Sequence, residues 1–151
     1  MGRGSARHLA ALPVVLFGLA LPGCGSDGPT TPTRTLLTQG QVAFPRPELT
    51  PGLQPLYAVV NFATPARGDL EITADWGNAA NIFTLNLRQG TCGVTNHIDC
   101  ALLVSGAEGA RPARVMLAAA SAGSYSLDVL LIPEAGLFFP ETVSYQVFLT
   151  N

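Results

Sequence analysis

Few side chains in this sequence could do covalent chemistry. Of the two histidines, His8 borders an apolar N-terminal run, and His97 sits inside "CGVTNHIDC" with Asp99 two residues on. A hydrolase would need that imidazole held against a carboxylate and a nucleophile such as Ser105 or Ser121. No Gly-x-Ser-x-Gly elbow presents either serine. A histidine in a short polar loop reads as a solvated surface residue. A small hydrolase using His97 and a carboxylate is the alternative. In "GDLEITADW", Asp69, Glu71 and Asp75 share one face, and paired carboxylates are the machinery of glycosidases. The same spacing is what any solvent-facing strand produces, and that reading is preferred. Asp75, Asn78 and Asn81 are oxygen donors spread through a turn and so weak candidates for calcium. Asp and Asn favour turns without a metal, because their side chains bond nearby backbone. In "PEAGLFFPET", Leu137, Phe138 and Phe139 stand between two prolines. Exposed, they would form a sugar- or protein-binding platform; folded inward, they would plug an open end of the domain. The residues thus predict no catalytic group, no metal and no cofactor, with Leu137, Phe138, Phe139 and His97 as possible binding residues.

The elements that would position these residues read as strands. Apolar and polar residues alternate in "GDLEITADW" (Leu70, Ile72, Ala74 and Trp76 on one face) and in "NIFTLNLR" (Phe83, Leu85 and Leu87). "GSYSLDVLLI" sets Tyr125, Leu127, Val129 and Leu131 opposite Ser124, Ser126 and Asp128, and "ETVSYQVFLT" lines up Val143, Tyr145, Val147 and Leu149. Period two is the signature of a half-buried antiparallel strand. Less regular strand candidates are "TLLTQGQVAF", "LYAVVNFAT", "CALLVSG" and "PARVMLAAA", with Gly, Pro and Asn clusters between them. About eight strands and no amphipathic helix predict an all-β, antiparallel, jelly-roll-like sandwich over residues 36–151.

The first 23 residues read as an export signal: Arg3 and Arg7 precede the uncharged run "LAALPVVLFGLAL", too short to span a bilayer as a lasting helix. Beyond it the chain has no lysine and carries six arginines against ten acidic residues, a net charge of −4. Scattered arginines on a weakly acidic body argue against nucleic-acid binding. "GSDGPTTPTRT" is too poor in apolar residues to order itself, so residues 24–35 are expected to be a flexible tether.

Leu21-Pro22-Gly23-Cys24 resembles the lipobox of bacterial lipoproteins. The resemblance implies a diacylglycerol on the Cys24 thiol, cleavage just before it and acylation of the new amine. Such a chain would be held on a membrane by its N-terminal lipid. Gly25, in place of the aspartate tied to inner-membrane retention, implies the outer membrane of the cell envelope. With Cys24 lipidated, Cys92 and Cys100 remain as a pair in an oxidising compartment and are expected to form a disulfide. Zinc would need more ligands than those two cysteines and His97.

The segment "AGSYSLDV", Ala122 to Val129, is similar to a strand motif of bacterial pre-peptidase C-terminal domains. "PLYAVVNFATPARGDLEITADW" resembles that family's opening strand pair, "NIFTLNLRQGTC" its central strand and "VSYQVFLT" its closing strand. The resemblance spans most of residues 50–151 and implies a non-catalytic β-sandwich of the kind appended to secreted enzymes. The expectation is therefore a lipid-anchored, non-catalytic envelope protein whose sandwich binds or scaffolds a protein or glycan. A purely structural spacer is the other alternative.

Overall fold

Alternating sequence becomes a two-layer sandwich in the computed structural model, which describes residues 31–45, 56–95, 99–132 and 138–151. The strands are β1 (Arg34–Phe44), β2 (Leu56–Thr64), β3 (Gly68–Trp76), β4 (Ile82–Gln89), β5 (Leu102–Ser105), β6 (Ala113–Ala120), β7 (Gly123–Ile132) and β8 (Glu141–Thr150). They form two four-stranded antiparallel sheets, ordered β1-β8-β3-β6 and β2-β7-β4-β5. The chain crosses between sheets so that its first and last strands pair, the double Greek-key order of a jelly roll. Cys24 lies outside the described residues.

The inward residues are those the alternation marks. Leu70, Ile72, Phe83, Leu85, Leu87, Leu127, Val129, Val143 and Val147 are all buried between the sheets. At one end of the core Phe83 packs against Phe44 (ring centroids 5.1 Å apart) and Trp76 (4.8 Å). At the other end Phe62 stacks on Tyr125 at 5.8 Å. Gly40 makes room for its cross-strand neighbour: a Cβ there would lie 2.7 Å from the Tyr145 hydroxyl and would oblige that ring to shift.

Two expectations need correction. Arg34 and Thr35, assigned to the flexible tether, already belong to β1 and pair with Thr150 and Leu149. Thr33 exchanges backbone hydrogen bonds with Asn151 (2.8 and 3.2 Å). An antiparallel partner at the far end of the chain satisfies the backbone of a segment too polar to order itself. The second correction concerns β7, whose Ser126 and Asp128 were expected in solvent. They are 0% and 2% exposed. A loop folds back over that face of the sheet and removes them from water.

Candidate functional site

The covered face is built from β2, β7 and β4. Asn61, Ser126 and Arg88 are cross-strand neighbours on the outside of their sheet. Against this rung lie Gly90, Cys92 and Cys100 from the connection between β4 and β5, the two cysteines joined by a disulfide. The Cys92 N–H donates to Asn61 Oδ1 (3.0 Å) and Ser126 Oγ (2.9 Å), while Asn61 Nδ2 donates to the Cys92 carbonyl (2.9 Å). Ser126 Oγ lies 2.7 Å from the Gly90 carbonyl and 2.5 Å from Asn61 Oδ1, with one proton for the two acceptors. The Tyr57 hydroxyl donates to the Val94 carbonyl. Arg88 Nη1 donates to the Cys100 carbonyl (2.9 Å), and Arg88 Nε meets Asp128 Oδ2 at 2.6 Å. Asp128 Oδ1 has no hydrogen-bond partner among the described residues. Buried charges of this kind persist only when paired. This face is a structural network, with one carboxylate oxygen of Asp128 left over. Of the expected loop residues, Asp99 is exposed and His97 falls outside the described residues.

The turn after β3 is likewise held by hydrogen bonds. Asp75 Oδ1 accepts from Arg111 Nε and from the Trp76 N–H, both at 2.9 Å. Asn78 Oδ1 accepts from the Ala80 N–H, and Asn81 Oδ1 from the Phe138 N–H. All three candidate calcium ligands therefore spend a side-chain oxygen on protein donors, which holds the turn. The arginine bond holds the Asp75 carboxyl below its usual range, against a smaller opposing effect of burial. Next to the turn, the buried Glu141 carboxylate accepts from the N–H groups of Gly77 (3.0 Å), Asn78 (2.9 Å) and Thr142 (3.0 Å) and from Asn81 Nδ2 (2.9 Å). Burial pushes its carboxyl up, but these donors together outweigh it and leave the group below its ordinary value. Glu141 was not singled out from the sequence; a lone acid at a strand start carries no signal of what it will cap.

The aromatic loop divides. Phe138 is 51% exposed, whereas Phe139 packs, half-buried, against the core. Asn81 clasps the backbone of Phe138, donating to its carbonyl at 2.9 Å and accepting from its N–H at 3.0 Å. Leu137 falls outside the described residues. The carboxylates on the β3 face are occupied too. Asp69 accepts from the Ala119 N–H (2.8 Å), and Glu71 bridges Arg34 (3.1 Å) and Arg114 (2.7 Å). This strand face offers no carboxylate pair set for acid–base work.

The outer face of the β1-β8-β3-β6 sheet contrasts with all of this. Two polar rungs cross it: Gln39, Gln146 and Thr73, then Gln41, Ser144 and Asp75. Between them runs the rung of Gly40, Tyr145 and Ala74, alternate residues whose backbone forms the floor. The result is a shallow open trough of about 570 Å³, with Pro112 at one end. The rungs stand roughly 6.8 Å apart, two residues along the strands, and cross three strands spaced about 4.8 Å. Sequence reading missed this site because an outward glutamine is an ordinary strand residue until its neighbours are known.

No family model matches the chain, and no curated protein matches its sequence. Among solved structures the chain is similar to PliG of Aeromonas hydrophila, a periplasmic lysozyme inhibitor of g-type lysozyme. The TM-score is 0.42 and the identity 11%, over 77% of this chain and 87% of that one.

Proposed function

We propose that this protein is a non-catalytic binding module of the bacterial cell envelope, exported and held on the outer membrane by lipid on Cys24. Its sandwich acts in the manner of the pre-peptidase C-terminal domains that the sequence resembles. The observation that carries the binding role is the contrast in how polar groups are used. Asp69, Glu71, Asp75 and Glu141 are engaged by arginines or backbone amides. Apart from Asp75, which lies at the margin of the trough, the trough presents polar side chains whose hydrogen bonds join one another. Lipidation follows from the Leu21-Pro22-Gly23-Cys24 motif, and two or three acyl chains make attachment effectively permanent. Fractionation tests the anchor: the native chain should sediment with membranes and Cys24→Ala should not, and a Cys24→Ala chain that still sediments refutes it. Chemical cross-linking in intact cells tests the binding role. A specific envelope protein is one expected product, and cross-linking to no protein above background together with retention by no glycan would leave only the spacer.

A further inference from the structure

We infer that the trough on the outer face of the β1-β8-β3-β6 sheet is a binding site for a neutral, hydroxyl-rich polysaccharide. The inference rests on the binding-module reading and names the ligand class for it. Three of the chain's five glutamines line this one surface, joined by Thr73, Ser144 and Asp75. Amides and hydroxyls each offer both a donor and an acceptor, as do the hydroxyls of a sugar. The partners that the glutamines and Ser144 have now are easily given up. Gln146 donates to Gln39 at 3.4 Å and Gln41 to Ser144 at 3.3 Å, at the long limit for a hydrogen bond, and both pairs are exposed. Exchanging them for ligand hydroxyls loses little.

Charge selects the neutral class. The one carboxylate in the trough, Asp75, is paired with Arg111, and the nearby Glu71 is paired with Arg34 and Arg114. An anionic polymer would have to break these pairs to find a cation, and would meet Asp75 on the way. A peptide is disfavoured by the floor. β8 and β3 are interior strands of the sheet, with their backbone groups already paired on both sides, so an added strand could pair only along the outer edge of β1, beside the trough and not across its floor.

The test is affinity electrophoresis of the full-length protein in detergent through gels containing dextran, amylose, laminarin, xylan or glycol chitin, with alginate as the anionic comparison. At least one neutral polysaccharide should retard the native chain, with little dependence on salt. Gln39→Ala with Gln146→Ala should weaken that retardation roughly tenfold, as should Gln41→Ala with Ser144→Ala, at unchanged melting temperature. Phe138→Ser should leave it unchanged. Retardation by none of the neutral polymers, or by alginate alone, overturns the inference. So does retardation that survives both double variants, although the binding-module reading would then stand with its site elsewhere. If cross-linking finds a partner while no neutral polysaccharide binds, the ligand class alone is wrong.

Discussion

On the outside of one sheet Ser126 and Arg88 lie under a disulfide-tied loop, with Asn61 exposed at the edge of the rung; on the outside of the other, Gln39 and Gln146 lie in the open beside a half-buried Thr73. Both are polar outward positions on antiparallel strands. Under the loop the bonds are short, 2.5–3.0 Å, and most reach backbone groups of a different segment. In the trough the side-chain bonds are long, 3.3 and 3.4 Å, and join neighbouring side chains. Water makes the difference. Where it is excluded, a polar group must be satisfied by protein and each bond is costly to lose; where it is present, a bond is nearly free to exchange. The closed face therefore serves stability, and the open one is available to a ligand.

The sharpest way to break this contrast is Arg88→Met. It leaves Asp128 buried with no cation and should cost about 3–5 kcal/mol in urea unfolding. Replacing both, as Arg88→Met with Asp128→Leu, should recover most of that loss. A single variant that unfolds at the native urea midpoint would mean that the face is not sealed.

Removing the tie comes next. Cys92 and Cys100 lie 8 positions apart in sequence, so Cys92→Ser with Cys100→Ser should lower stability by about 2–3 kcal/mol on the chain-entropy account. Mass spectrometry of non-reduced peptides establishes the bond itself, and free thiols in envelope-purified protein would refute it.

Glu141 extends the comparison to the end of the sandwich. Glu141→Gln should cost about 2 kcal/mol at pH 7, because the charge that receives four donors is removed. Its carboxyl titrates below the unfolded value, so the stability it contributes is fully present above about pH 4.3 and is lost as pH falls through the folded value. The unfolding curves of the native chain and the Glu141→Gln variant should therefore converge in acid, and a gap that persists at low pH would assign the loss to packing.

Smaller effects separate two adjacent residues. Phe139→Ser should cost about 1–2 kcal/mol for the half-buried ring it removes, whereas Phe138→Ser should stay within about 0.5 kcal/mol. The least effect belongs to the trough itself: Gln39→Ala with Gln146→Ala should shift stability by under about 0.5 kcal/mol. A large loss there would mean that the open face is structural after all.

How far these features were legible in the sequence depends on the range of the interaction. β3, β4, β7 and β8, and the inward residues Leu70, Phe83, Leu127 and Val147, follow from alternation, a property of five to ten neighbouring residues set by the pleat of a strand, while β1, β2, β5 and β6 were legible only as less regular apolar stretches between turn clusters. The all-β class follows from the same signal, and so do the turns around Asn78 and Asn81. What covers an outward face is another matter. Cys92 reaches Asn61 across 31 positions and Ser126 across 34, so nothing local to β7 distinguishes its Ser126 and Asp128 from the exposed Ser144 and Gln146 of β8. Phe138 and Phe139 share a composition and a loop, and only the clasp from Asn81, 57 positions away, turns one out and lets the other pack. The sequence by itself determined which residues shun water along each strand, because that preference belongs to the side chain and its immediate neighbours. Only the tertiary structure decided which polar residues would also lose water, because desolvation is imposed by whichever distant segment the chain topology lays over them.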